Sequence, residues 1–368
     1  MIATGLDGRV RGVTARAYTI PADAPEGDGT LAWNQTTLVL AEADGGDATG
    51  LGWTYAPPAA ASVITGTLAD AVTGLPAADV PAANAAMVRA VRNAGRPGIA
   101  GYALSAVDCA LWDLKARLLG VPLATLLGSA RDTVPVYGSG GFTPYDADRT
   151  RRQLAGWVHD QGIPRAKIKV GEEWGTREGR DLTRMRLARD VIGGDAELYV
   201  DANGGYTAKQ AVRVASAAAD LDVRWFEEPV TSDDLDGLAL VRDRVPADVA
   251  AGEYGCDPAY FRRMAPVVDC LQADATRCGG VTGWLAAATL AAAHHRDISA
   301  HCAPTLHAPV GCAAPNTRHL EWFHDHVRVE GLLFDGVPDP GGGSVRPSEE
   351  PGFGVELRAG DAEPYRVR

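Results

Sequence analysis

The chain has 368 residues, 46% of them hydrophobic and 22% charged, with 35 basic against 47 acidic side chains and a formal charge of -12. This size supports two or three domains with a real core, and the composition is not that of a disordered chain. The acidic balance excludes the broad basic face of a nucleic-acid binder and gives no reason to expect an anionic membrane as partner. A small anionic substrate stays compatible, because a few local cations override the net field.

In chain order, Met1 to Ile20 has no apolar leader segment, so no secretory signal is expected. Val10 to Ile20 and Leu31 to Ala43 alternate as half-buried strands, separated by the turn-rich stretch from Pro21 to Gly29. Gly50 to Tyr55 precedes Pro57 and Pro58, and helices are then predicted at about 62–75, 81–93 and 101–119, the last ending at Gly120. Strands followed by helices predict an α+β domain over residues 1–125.

From Val134 short apolar strands alternate with amphipathic helices. The predicted strands are Val134–Tyr137, Ala166–Val170, Glu197–Val200, Val223–Phe226, Asp248–Ala251, Cys270–Gln272, Ile298–Ala300 and His319–Trp322. Helices fill about 146–161, 176–192, 207–220, 235–244, 257–264 and 282–295, with Thr207 and Thr282 as capping residues. Eight such strands predict an α/β fold, a (β/α)8 barrel over 126–335, preceded by the capping domain. An open doubly wound sheet is the competing architecture, but Gly138-Ser-Gly-Gly-Phe lacks the glycine fingerprint that it would want. Residues 336–368 are expected to return to the capping domain, with Pro338 to Leu357 leaving the barrel. No apolar run reaches membrane-spanning length. The six cysteines form no C-x-x-C pair, which suits reduced thiols in a cytoplasmic protein.

Barrel enzymes keep their chemistry at the C-terminal ends of the strands. Lys167 and Lys169 share one face of the second strand. Asp201 ends the third, with Asn203 beyond it; Glu227 ends the fourth and Glu253 the fifth. Twenty-six residues separate Asp201 from Glu227, and 26 separate Glu227 from Glu253, so each βα unit carries a carboxylate to the equivalent place. Three acids brought together need a cation, and all-oxygen donors suit Mg²⁺. Asp274, His301 and Glu321 end the last three strands. An Asp beside a His fixes its tautomer and raises its basicity, whereas a lysine beside Mg²⁺ and a second lysine is expected to have a lowered pKa. Any one of these residues alone reads as a solvated or structural group. His307, His319, His324 and His326 are left in that structural class. Glu228, beside Glu227, points the other way on a strand and is expected to support the site rather than bind.

In order, Lys167-Ile-Lys169, Val200-Asp-Ala-Asn203, Trp225-Phe-Glu-Glu-Pro229, Ala251-Gly-Glu253, Asp274 to Trp284, Ser299-Ala-His301 and His319-Leu-Glu321 resemble the enolase superfamily, mandelate racemase subgroup. Leu104 to Lys115 resembles the helix that closes the family's N-terminal domain, and Gly343 to Pro347 with Pro351 to Leu357 its C-terminal return. The resemblance implies that Asp201, Glu227 and Glu253 hold Mg²⁺. It makes Lys169 and His301 the two bases, with Asp274 orienting His301. Lys167, Glu321 and Asn203 would contact the substrate. It further implies a small carboxylate substrate, an even-numbered homo-oligomer, and two loops, about 20–32 and 50–58, that cover the barrel mouth, where Trp53 and Tyr55 either line the pocket or serve packing. The acidic first loop and the lack of arginine in either favour a monoacid, unless Arg277 intervenes. Dehydration of a sugar acid is the preferred reaction. Racemisation, epimerisation or cycloisomerisation stays open, as does an inactive barrel with a binding role.

Overall fold

The computed structural model describes residues 8–367. Three antiparallel strands, β1 (Val10–Gly27), β2 (Ala32–Gly45) and β3 (Ala48–Tyr55), open the chain. The alternation forecast for Val10–Ile20 continues through the predicted loop. β1 runs on to Gly27 across a register shift between Pro21 and Glu26, so most of 20–32 is a long hairpin arm rather than a loop. Likewise 50–55 is strand, not loop. Helix Ile99–Leu119 packs on this sheet. Gly50 and Gly52 allow the approach, because a Cβ on either would fall about 2.2–2.3 Å from helix backbone atoms of Ala106 and Ala110. The helix ends on Gly120 in the left-handed conformation, which no L side chain adopts freely.

Eight parallel strands follow: β4 (Val134–Gly140), β5 (Arg165–Lys169), β6 (Glu197–Asp201), β7 (Val223–Glu227), β8 (Asp248–Ala251), β9 (Cys270–Ala273), β10 (Asp297–Ala300) and β11 (Thr317–Phe323). β11 pairs in parallel with β4, which closes the barrel and excludes the open sheet. The strands are short and apolar because both faces are buried. Tyr137, Tyr199, Trp225, Ala250 and Cys270 fill the barrel interior, with His319 against these rings. Thr207 and Gln210 form a reciprocal capping box, a motif worth about 1 kcal/mol. Thr282 does not cap its helix, which starts at Gly280. Instead Asp108 of the capping domain accepts the Thr282 backbone N–H at 3.0 Å, so the cap comes from the other domain.

Two barrel helices, Pro304–Ala313 and His324–Leu333, escaped the sequence reading. Pro304 and Pro309 mask the first; the second begins directly on the last barrel strand, without a turn signal. The C-terminal segment does not leave the barrel cleanly. Ser344–Val345 pairs antiparallel with β4, after which Phe353 N–H bonds Asp113 at 2.6 Å and Val367 N–H bonds the Ala17 carbonyl at 2.9 Å. Among the described residues no helix is long and apolar enough to cross a membrane.

Candidate active site

Register lines up the acids. Lys169 pairs with Asp201, and Asp201 with Glu227, across three adjacent strands. Glu253 follows β8 by way of Gly252, whose φ of 135° takes the chain off the strand and whose Cβ would strike the Gln272 carbonyl. All three carboxylates are buried, as are both lysines.

The lysines sit among the acids. Lys167 Nζ lies 2.5 Å from Glu227 Oε1, 2.8 Å from Glu321 Oε1 and 3.5 Å from Asp201 Oδ2. Lys169 Nζ lies 2.5 Å from Asp201 Oδ2. Burial works against the charged form of Lys169, yet the Asp201 carboxylate outweighs it and holds the ammonium above its ordinary range. The lowering expected from Mg²⁺ and the second lysine together is thus opposed by the contact with Asp201. Burial and the charge of Asp201 push Glu227 up to about 8, against the pull of Lys167. The Trp225 indole N–H donates to its other oxygen at 2.9 Å.

Across the mouth, His301 Nδ1 lies 2.8 Å from Asp274 Oδ2. Burial opposes the ionised Asp274, but the bond to His301 wins and holds it below the usual carboxylate range. Burial lowers His301 and Glu253 raises it, with a net rise. Its Nε2 lies 3.3 Å from Glu253 Oε2. Arg277 pairs with two of these acids, 3.1 Å from Glu253 and 3.4 Å from Asp274. Glu321 stands between the two halves. Its Oε1 accepts from Ser139 Oγ at 2.6 Å as well as from Lys167, and its Oε2 accepts the Cys302 N–H at 2.9 Å.

Two buried oxygens in this array have no hydrogen-bond partner, Glu253 Oε2 and Asn203 Oδ1. Crowded acids and orphaned oxygens on neighbouring strand ends fit a hard divalent cation. Asp201, Glu227 and Glu253 could hold it, with Asn203 beside Asp201, whose Oδ1 accepts the Asn203 N–H at 2.9 Å.

The histidines left aside have structural partners. His307 Nε2 accepts the Ala275 N–H at 2.8 Å, and His319 bonds Ser299 at 2.8 Å. His326 accepts the Ala303 N–H at 3.3 Å, and His324 reaches Asp23 at 3.3 Å. Glu228 departs from simple alternation. A φ of 37° takes it off the strand into a buried position, where it bonds Ser232 and where burial and the charge of Glu253 raise its pKa.

Of the two roles open to Trp53 and Tyr55, packing is the one seen. Trp53 is fully buried, stacked on Phe334 at 4.6 Å, and so packs the domain seam instead of lining a pocket. Tyr55 stacks on His326 at 3.3 Å and bonds Glu330 at 3.2 Å, one layer behind Cys302 and His301. The roof comes from the hairpin arm. Trp33 packs edge-on against Phe142 at 5.5 Å and, with Ala24, joins the cluster of Phe142, Tyr145, Cys302 and Phe323. Gly29 sits on the end of β5, where a Cβ would come within 2.6 Å of the Val170 and Gly171 carbonyls. Trp33 and Cys302 carried no sequence signal: one sits in a strand, the other beside a histidine that already explained the motif.

With this arrangement established, comparison with known proteins is decisive. Residues 149–362 match the family Enolase C-terminal domain-like, and residues 29–128 match Mandelate racemase / muconate lactonizing enzyme, N-terminal domain. The chain belongs to the enolase superfamily, in its mandelate racemase subgroup. Within this subgroup it is 50% identical to a mandelate racemase/muconate lactonizing enzyme-like protein from Rubrobacter xylanophilus, with a TM-score of 0.95, covering 98% of this chain and 100% of that one. A racemase from Streptomyces coelicolor, solved with bound magnesium, is 28% identical with a TM-score of 0.91, covering 97% of this chain and 100% of that one. The L-talarate/galactarate dehydratase of Salmonella typhimurium is 30% identical over 315 residues, 82% of this chain and 77% of that protein. Other relatives in the subgroup are an L-rhamnonate dehydratase and a 3,6-anhydro-alpha-L-galactonate cycloisomerase. The relatives are thus hydro-lyases and isomerases, and this chain is an enzyme of that group.

Proposed function

We propose that the enzyme removes the proton α to a carboxylate and dehydrates a sugar acid, an aldonate or aldarate, to the 2-keto-3-deoxy acid. One observation carries this reading: Lys169 on β5 and the Asp274-held His301 after β10 both reach the carboxylate array, Lys169 at Asp201 and His301 at Glu253, 3.3 Å away. The dehydratases among the relatives support it.

A proton α to a carboxylate is weakly acidic, because its loss leaves an enediolate dianion; groups that meet this charge lower the barrier. Mg²⁺ held by Asp201, Glu227 and Glu253 would supply Lewis-acid charge to the substrate carboxylate. Lys167 places a donor at that carboxylate; Glu321 donates there only once protonated, a change that burial favours and Lys167 opposes, with its carboxyl held well below the usual range. Lys169 accepts a proton only once its ammonium is discharged, a change that Lys167 beside it favours and Asp201 opposes. With Asp274 on Nδ1, His301 presents Nε2 to the substrate and, as imidazolium, protonates the departing β-hydroxyl. A substrate of opposite α configuration would exchange these roles. The hairpin roof excludes bulk water. Arg277 has its charge spent on Glu253 and Asp274, which favours a monoacid over a diacid. Six free cysteines suit a cytoplasmic enzyme. An even-numbered homo-oligomer completes the reading.

The test is incubation of a sugar-acid library with the enzyme and Mg²⁺ in D₂O. Release of a 2-keto acid establishes dehydration. Deuterium at an inverted α-carbon without keto acid replaces it with racemisation or epimerisation. No exchange with any acid leaves a barrel with only a binding role.

A further inference from the structure

Successive strand residues face opposite ways, yet Cys302 shares the side of His301. The backbone is left-handed at Cys302 and Ala303, with φ of 52° and 41°, and this folds the thiol back over the site. Cys302 Sγ lies 3.3 Å from His301 Nε2 and 3.4 Å from Glu321 Oε2, and those two atoms lie 3.9 Å apart. All three side chains are buried, and their donor atoms fall within 4.8 Å of one another. Glu253 Oε2, the buried oxygen without a hydrogen-bond partner, lies 3.3 Å from the same Nε2.

His301, Cys302 and Glu321 make an N, S, O donor set. Zinc bonds to such donors measure about 2.0–2.3 Å, and a tetrahedron built on them has edges of roughly 3.3–3.6 Å. The observed spacings nearly match before any ion draws them in. The groups behind the donors are also in place. Asp274 takes the Nδ1 side of the imidazole and leaves the Nε2 lone pair facing the site. Ser139 and Lys167 bond Glu321 Oε1 and turn Oε2 towards Cys302.

We propose that His301, Cys302 and Glu321 form a site for a thiophilic divalent cation, Zn²⁺ in the first instance, distinct from the hard-oxygen set at Asp201, Glu227 and Glu253. Binding releases the thiol proton, and the Nε2 proton where the imidazole is charged, to solvent, with no change of oxidation state. A divalent ion, one thiolate and one carboxylate sum to zero charge, and a water molecule takes the fourth position. The ion occupies the lone pair that His301 uses in the proposed reaction, so it switches turnover off. That consequence rests on the role proposed for His301; the binding does not.

The full chain, saturated with Mg²⁺, is titrated with Co²⁺ and then with Zn²⁺. The expected result is a near-ultraviolet thiolate-to-cobalt band saturating at one equivalent, displaced by Zn²⁺, kept in Glu227→Gln and lost in Cys302→Ser. No band, or an equal band in Cys302→Ser, overturns the site. Should Cys302→Ser fail to fold, zinc X-ray absorption of the wild-type protein decides: one sulfur neighbour upholds the site, and none removes it. A bound zinc with one sulfur but undiminished turnover overturns the switch, and with it the role of His301 rather than the site.

Discussion

Asp274 Oδ2 lies 2.8 Å from Nδ1 of His301, and this contact leaves Nε2 as the nitrogen that faces Glu253. Asp274→Asn keeps the shape but can offer its amide N–H to Nδ1, which favours the other tautomer. We expect kcat to fall by about 10³–10⁴ with KM little changed. Steady-state kinetics on the substrate found in the library screen check this; more than half of wild-type kcat would remove Asp274 from its role.

Lys169 and His301 are argued to handle protons on opposite sides of the substrate. Lys169→Ala and His301→Asn should each lower turnover by roughly 10³ or more. The exchange of α-deuterium should separate them, because one variant keeps exchange on substrates of one α configuration and the other on the opposite one. Identical loss on both configurations would leave the two-sided arrangement without support.

Mg²⁺ should stabilise the wild-type protein through the carboxylate array. At 100 times the dissociation constant the gain is about 2.7 kcal/mol, roughly 3–6 °C in melting temperature for a domain of this size. Glu227→Gln should lose most of that rise. Calorimetry with and without Mg²⁺ reads the difference, which is independent of any change in the metal-free melting point. Equal rises in both proteins would move the metal elsewhere.

Glu26 is a buried residue of the hairpin arm, where burial and then the charge of Asp325 push its carboxyl up to about 8, from 4.5. Its proton is held more tightly folded than unfolded, so the stabilisation is fully present below pH 4.5 and is lost as pH rises through about 8. Glu26→Gln keeps an acceptor for the Trp33 indole, which donates at 2.8 Å. The variant should therefore flatten this part of the stability profile, gaining about 1–2 kcal/mol on wild type at pH 8.5 relative to pH 5. Urea melts at the two values test it; parallel profiles would show that Glu26 is ionised in the folded protein.

Trp33 roofs the site through its edge-on contact with Phe142. Trp33→Ala should raise KM more than it lowers kcat, and cost about 1–2 kcal/mol in stability. Unchanged KM would place the substrate away from the arm.

Much of this protein is readable in one dimension. Equal spacing of 26 residues put Asp201, Glu227 and Glu253 on successive strand ends, because one βα unit has a nearly fixed length and Cβ direction repeats every second residue. The same periodicity placed Lys167 and Lys169 on one face. It carries no information where the backbone turns left-handed, as at Glu228 and Cys302, since φ is not written in hydrophobic pattern. It failed for the arm, where a strand interrupted by Pro21 and Pro25 reads as a loop until β2 supplies its partner. Tertiary structure alone decided that Lys169 is paired with Asp201, that Arg277 is already spent, that Trp53 belongs to the seam and Trp33 to the roof. Those outcomes depend on which charges and rings meet across elements far apart in sequence, and pair distances of 2.5–3.5 Å are set by packing rather than by residue order.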